Sequence, residues 1–234
     1  VIGMLFHAID LYVRVVNNQQ ADAGFSMSLG HSISLLSLAV TALYILMSMA
    51  RKTVNLGLAI LPTAMLAVVL GHFLNPDHQA INVEHPGLEW HIVFGIITFA
   101  LLSLAFAQSL LILVQEKQLK SHQHLHGGIS QLNLPPLQSM ETLLFQLIAL
   151  GFGLLTLALA SCFVYLDDLF AQHLVHKTAL SILAWVVFAV LLWGRYRYGW
   201  RGRRAMHWTL AGFAILVLAY LGSKAVLELI LQRP

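Results

Sequence analysis

The chain has 234 residues, of which 59% are hydrophobic and 10% are charged, and its mean hydropathy is +0.78. Soluble domains carry about 25% charged residues, so this composition excludes a soluble globular protein and indicates an integral membrane protein. The net charge of +3 is too small to indicate a nucleic-acid-binding protein. A single cysteine, Cys162, excludes a disulfide framework. Because it lies inside an apolar run, we interpret it as a small packing residue.

Hydropathy predicts seven membrane-spanning helices, and these account for most of the chain. Every span must be helical, because lipid offers no hydrogen-bond partner to exposed backbone groups. The fourth span is the clearest, since about 24 residues from His91 onward carry no formal charge and would cross a hydrocarbon core of about 30 Å. We therefore predict an all-α, polytopic transmembrane helical bundle that forms a single domain over residues 1–234, with spans near 1–16, 30–50, 54–74, 91–114, 142–165, 178–194 and 207–231.

The first predicted span opens at Val1, already inside an apolar run. It has neither a basic leading region nor a cleavage site, so it does not resemble a signal peptide. We expect the chain to be trimmed at this end. One further span would then precede the seven visible ones and bring the total to eight.

The links between the predicted spans alternate in charge. Links 17–28, 75–88 and 166–176 contain no Lys or Arg, whereas the links after the second, fourth and sixth spans are basic. Cytoplasmic links carry an excess of Lys and Arg, so the visible N-terminus is expected in the cytoplasm and the C-terminus on the outer side. The most basic link, 195–204, would determine this topology and would also suit anionic membrane lipid.

Histidine is frequent for so apolar a chain, with twelve in all. Neutral imidazole ligates iron, zinc and copper, so a group of histidines on one side of a membrane predicts a metal or cofactor site. Each of them could instead be a simple interfacial residue. The histidines in the links without basic residues, or at the neighbouring span ends, are His31, His72, His78, His85, His91, His173 and His176.

His7 differs from these residues because it lies within a span. It is nine residues from the outer end of the first span near Val16, which places it about 13 Å deep. Asp10 and Arg14 follow at i+3 and i+7 on the same helix face. Asp10 could orient a ligating His7 ring by accepting its second N–H, or could simply pair with Arg14. We expect His7 and His91 to bind separate groups, because their predicted depths differ by about 10 Å.

No catalytic constellation is present in the sequence. There is no phosphate-binding glycine loop, no nucleophile elbow and no zinc-protease helix. No span carries paired carboxylates that could act as acid and base. We therefore predict a protein without enzymatic activity.

Four stretches of the chain resemble the cytochrome c assembly superfamily of haem-handling membrane proteins. Within it, they are most similar to the small bacterial branch of the YpjD (CorE) and HemX type. The stretches follow the family's order, and HAIDLYVR (7–14) adds to the match. They are WHIVFGIITFALLSLAFAQSLLIL (90–113), METLLFQLIALGFGLLTLALASC (140–162), HKTALSILAWVVFAVLLWGR (176–195) and GWRGRRAMHWTLAGFAILVLAYLGSK (199–224).

The family has one histidine pair within the membrane, one pair at the outer face and a Trp-rich outer segment that presents haem. The resemblance carries the first membrane histidine onto His7 and the first outer histidine onto His91. The second membrane position falls at about Trp193, and the second outer position near Leu231. The Trp-rich segment falls on DDLFAQHLVHK (167–177), which contains no Trp. Each histidine pair therefore keeps one member.

Other groups could complete the coordination that the resemblance implies. His173 or His176 could replace an outer ligand, as could another protomer or a partner protein. Lys224 lies four residues before Glu228 and could pair with it. Alternatively, Lys224 could neutralise a haem propionate.

The resemblance implies a bacterial inner-membrane protein that binds b-type, non-covalent haem and assists cytochrome c assembly or haem traffic. Its implied partners are haem, membrane lipid and cytochrome c biogenesis proteins. Two alternatives remain open. The outer His and carboxylate groups would suit an accessory of divalent-cation (cobalt or magnesium) efflux, acting with a cation-efflux partner. The basic inner face would suit a non-catalytic scaffold that regulates a partner.

Overall fold

The computed structural model describes residues 2–19, 25–26, 29–50, 56–73, 80–81, 88–121, 135–165 and 175–222. Within these ranges the chain forms seven α-helices, which confirms the predicted all-α bundle. They are α1 (Ile2–Gln19), α2 (Leu29–Ala50), α3 (Gly57–Phe73), α4 (Leu88–Ser121), α5 (Leu137–Tyr165), α6 (Val175–Tyr198) and α7 (Gly202–Val217). A π-helical turn, Leu218–Gly222, continues α7. Two short strands, β1 (Phe25–Ser26) and β2 (Ala80–Ile81), pair antiparallel.

Five helices are long and apolar enough to cross a membrane, as judged by length and composition. These segments are Gly30–Met49, Trp90–Leu119, Leu137–Cys162, Val175–Tyr198 and Gly202–Gly222. Helices α1 and α3 contribute the shorter apolar stretches Gly3–Val13 and Gly57–Phe73. Each of the seven predicted spans overlaps one of these segments, and the chain is therefore a multi-pass membrane protein.

Helix α4 occupies the centre of the bundle. It makes its most extensive contact with α5 and also packs against α2 and α7, while α6 packs against α5 and α7. In a membrane such contacts are stabilised mainly by van der Waals packing, because lipid tails are as apolar as the side chains. The fully buried side chains of this core include Leu102, Leu144, Ile148, Phe188 and Met206. The buried polar side chains of α4, which are Thr98, Gln108 and Ser109, are held among protein atoms.

The turn between α6 and α7 is fixed by contacts of its own residues. Gly199 has φ +65°, a backbone conformation that favours glycine and that ends α6. The Arg195 guanidinium donates to the Trp200 carbonyl at 3.1 Å and lies 4.5 Å from the centroid of the Phe145 ring. The basic link that the sequence predicts to determine topology is thus an ordered, tight turn.

The start of α7 depends on a carboxylate from α5. The Gly202 N–H donates to Glu141 Oε1 at 2.9 Å, whereas Arg201 at the N-cap makes no side-chain capping hydrogen bond. Glu141→Ala is expected to lower the free energy of unfolding by about 1–2 kcal/mol, because it leaves this N–H without its charged acceptor. Glu141→Gln keeps an acceptor oxygen and is expected to cost less. SDS-induced unfolding in mixed micelles measures both, and wild-type midpoints for both variants would contradict a capping role.

Candidate functional site

His91 lies in the first turns of α4, and α5 holds its ring. Its Nδ1 is 2.9 Å from the Ala158 carbonyl oxygen and 3.0 Å from Ser161 Oγ. A carbonyl oxygen can only accept, so Nδ1 carries the proton and donates. The Ser161 hydroxyl donates to the same carbonyl at 2.8 Å, which leaves its Oγ as a second acceptor for the imidazole N–H. In the neutral ring, this hydrogen bond selects the tautomer that is protonated on Nδ1.

The second ring nitrogen of His91, Nε2, keeps its lone pair. Its hydrogen-bonding neighbour in the described part of the chain is Cys162 Sγ at 3.8 Å, and the same sulfur lies 3.7 Å from Nδ1. A thiol is a weak donor, and at these distances it lies beside the ring and does not block Nε2. Cys162, predicted from the sequence to be a packing residue, thus also contacts the candidate ligand.

The helix face next to His91 leaves space. Gly95 lies four residues after His91, so the two residues share one face of α4. At Gly95, a Cβ atom would meet no heavy atom of the described residues within 4 Å. Within the described part of the chain, α4 is therefore open at this position.

Three residues of this site are not singled out as functional by the sequence. Ala158, Ser161 and Cys162 are spaced i, i+3 and i+4, which puts them on one face of α5. That spacing of small and polar residues is the signal that predicts a shared face, but it does not reveal that α4 lies opposite. Lys177, in the first turn of α6, is half-buried, and its Nζ lies 5.4 Å from the centroid of the Tyr220 ring.

The remaining candidate residues lie apart from His91. His7 is half-buried and Asp10 exposed on α1, which packs against α2. His176 is exposed at the start of α6. None of these three side chains hydrogen-bonds to His91. Lys224 lies outside the described residues, and the roles of all four residues stay predictions.

The positions of the family's second histidines also bear on the site. Trp193, at the second membrane position, is 63% exposed on α6. Leu231, near the second outer position, lies outside the described residues. His91 is therefore the candidate ligand whose surroundings the structure describes in most detail.

Residues 18–231 match the family described as "Cytochrome C assembly protein". The chain belongs to this family. The family predicted from the four collinear stretches is thereby confirmed.

Individual relatives agree with this assignment. The chain is 34% identical over 231 residues to "Inner membrane protein YpjD" of Escherichia coli K12, a match that covers 98% of this chain and 85% of that protein. It is 25% identical over 225 residues to "Cytochrome c biogenesis protein CcsA" of Prochlorococcus marinus MIT 9303, covering 83% of this chain and 71% of that protein. No solved structure matches the chain.

Proposed function

We propose that this member of the cytochrome c assembly family binds haem through His91 and holds it for cytochrome c assembly. The observation that carries the proposal is the hydrogen bond from His91 Nδ1 to the Ala158 carbonyl at 2.9 Å. A histidine that ligates a metal usually donates its other N–H to a carbonyl or carboxylate, which fixes the tautomer and makes the ligating nitrogen more basic. In this protein the ligating nitrogen would be Nε2.

The surroundings of His91 fit haem. The open space at Gly95 would admit the edge of a flat macrocycle. The site lies at one end of an apolar bundle, so a bound apolar ring would contact protein side chains in place of lipid tails. Bound haem would supply an iron centre, and the protein would control it through the axial ligand and through burial. The chain's own part is to hold the imidazole in one tautomer and one orientation.

The relatives and the charge pattern support the same function. A relative of this chain is named a cytochrome c biogenesis protein. His91 follows link 75–88, which has no Lys or Arg and is expected to face outward. A haem held there would be near the side of the membrane on which cytochromes c are completed. His7 with Asp10 would form a separate, deeper site.

The protein would act by binding and would not catalyse a reaction. The divalent-cation alternative rests on His and carboxylate groups of the outer links, most of which lie outside the described residues. Among the described residues, no three His, Cys, Asp or Glu side chains converge on one point. The scaffold alternative would use the basic turn between α6 and α7. Both alternatives predict a protein whose function does not depend on haem.

The absorption spectrum of the purified protein tests the proposal. The full-length chain would be purified in mild detergent from haem-replete cells, and its spectrum recorded in the oxidised and reduced states. We expect a Soret band that corresponds to near one haem per chain and is removed by acid–ketone extraction, as for b-type haem. A colourless protein that also takes up no added haem would contradict the proposal. Divalent-cation uptake with and without the protein would then test the efflux alternative.

A further inference from the structure

The turn between α6 and α7 carries positive charge that the described chain neutralises only in part. Residues 195–204, called the basic turn below, contain five arginines and no carboxylate. Glu116 Oε1 lies 3.7 Å from Arg203 Nε, and the Glu141 carboxylate caps α7. Within the described ranges, no carboxylate forms an ion pair with the other four arginines. The basic turn therefore favours an anion that these residues do not supply.

The neighbouring links on the same side of the membrane do not supply one either. The charge pattern places links 51–55 and 122–134 on the side of the basic turn, and neither contains Asp or Glu. An anion that neutralises the basic turn would therefore come from outside this part of the chain.

The basic residues of this turn are all arginines. Both other inner links include lysine, at Lys52 in one and at Lys117 and Lys120 in the other. A topology determinant needs only positive charge, which lysine supplies as well as arginine. The guanidinium group differs because its planar fork of N–H donors matches a phosphate group bidentately. The choice of arginine therefore favours recognition of phosphate.

The basic turn is held in one conformation by its own packing. The Trp200 ring lies directly against Gly194, where a Cβ atom would clash with it. The centroid of this ring is 5.6 Å from that of Trp208, and the Arg204 guanidinium carbon lies 5.2 Å from it. The Arg197 guanidinium carbon similarly lies 5.9 Å from the centroid of an adjacent tyrosine ring. An ordered surface loses less conformational freedom when it binds a ligand.

Aromatic side chains place the basic turn at the level of the lipid headgroups. Trp193, Tyr196 and Tyr198 are 63%, 86% and 69% exposed, respectively. Exposed Trp and Tyr residues at the end of a span are typical of the membrane–water interface. Helix α6 is also the least buried of the five candidate spans, so its apolar side chains face lipid acyl chains. The arginines and this apolar flank together suit a phospholipid better than an acidic protein segment, which would use the charges alone.

We propose that Arg197 and Arg201 bind the phosphate of an anionic phospholipid of the inner leaflet. Both side chains are exposed, and they stand on opposite sides of the turn residues. They are four residues apart, so their Cα atoms lie within about 14 Å of each other, a distance that two arginine side chains can close on one headgroup. The inference goes beyond the proposed function and does not depend on haem binding.

Native mass spectrometry measures this binding directly. The full-length protein would be delipidated in detergent and titrated with phosphatidylglycerol or with phosphatidylcholine of the same acyl chains. We expect the wild-type protein to bind phosphatidylglycerol about ten-fold more tightly. The double variant Arg197→Gln/Arg201→Gln should lose this preference and keep its affinity for phosphatidylcholine. Arg197→Lys/Arg201→Lys keeps the charge but not the guanidinium forks, and should recover only part of the preference.

Two controls separate this site from diffuse charge and from misfolding. Lys117 is exposed at the inner end of α4, so Lys117→Gln should keep the wild-type preference. Because Arg197 and Arg201 are exposed, the double glutamine variant should show the wild-type midpoint of SDS-induced unfolding when no lipid is added.

Three results would overturn the inference. They are equal affinities of the wild-type protein for the two lipids, an unchanged preference in the double glutamine variant, and an equal loss in Lys117→Gln. The first result would leave the arginines to an acidic protein partner, as the scaffold alternative requires. All three would leave haem binding through His91 standing.

Discussion

His91→Gly is expected to yield a protein that is purified without haem, and added imidazole is expected to restore binding. The substitution removes the ligand but leaves Ala158 and Ser161, which hold the ring in the native protein. Free imidazole could occupy the vacated space and donate to the same carbonyl. Loss of the group that hydrogen-bonds to a metal-ligating residue already lowers metal affinity 10- to 100-fold. Loss of the ligand itself should therefore lower haem affinity more than about a hundred-fold. Titration with haem, with and without imidazole, measures both the loss of haem affinity and its restoration.

The control for this result is another histidine variant. His72 is exposed at the end of α3 and contacts the ring of Phe73. His72→Gly should keep the wild-type haem content. Equal haem content in His91→Gly and the wild-type protein would show that the haem, if bound, is ligated elsewhere, with His7 as the next candidate. Loss of haem without rescue by imidazole would indicate that the variant has lost the site's structure as well as its ligand.

Gly151→Leu is expected to destabilise the contact between α4 and α5 that holds the site together. Gly151 is buried, and a Cβ atom there would stand 2.7 Å from Leu102 Cδ2 and 2.8 Å from its Cγ. Leu102 is fully buried, so its side chain has little room to move away. Overpacking of this kind costs about 3 kcal/mol, and separation of the two helices would also remove the hydrogen bonds of His91. The midpoint of SDS-induced unfolding measures the loss.

The neighbouring glycine provides the control. Gly153 is exposed on the same helix, and a Cβ atom there would meet no described heavy atom within 4 Å. Gly153→Leu should therefore unfold like the wild-type protein. Equal midpoints for the two leucine variants would show that the approach of α5 to α4 at Gly151 is not required for stability.

The helices could be predicted from the sequence because lipid imposes one solution on each apolar run. The predicted ends are less accurate. Helix α7 begins at Gly202, although the predicted span begins at 207, and α4 continues to Ser121, although its span ends at 114. Hydropathy reports only the apolar part of a helix. The polar residues at these ends extend the helices beyond that part.

The candidate site was only partly predictable. His91 could be named because an imidazole at the mouth of a long apolar span is unusual and because the family resemblance falls on it. Its hydrogen-bond partners could not be named from the sequence. Ala158 accepts through its backbone carbonyl and Ser161 through a hydroxyl, and neither group marks a site in a sequence. Lys177 is the last residue of segment 167–177, on which the family's Trp-rich stretch falls, but no sequence pattern shows that its ammonium lies 5.4 Å from the centroid of the Tyr220 ring. These relations arise from helix packing between distant parts of the chain.

The most direct measurement is the hyperfine coupling between ferric haem iron and the histidine nitrogens of the protein. Electron–nuclear double resonance would be recorded on haem-loaded protein labelled with nitrogen-15 at histidine. We predict a coupling from a nitrogen-15 nucleus bonded to the iron, absent in His91→Gly and replaced by an unlabelled nitrogen when imidazole is added. A haem-loaded wild-type protein without this coupling, or a coupling that persists in His91→Gly, would contradict the assignment of His91 as the iron ligand.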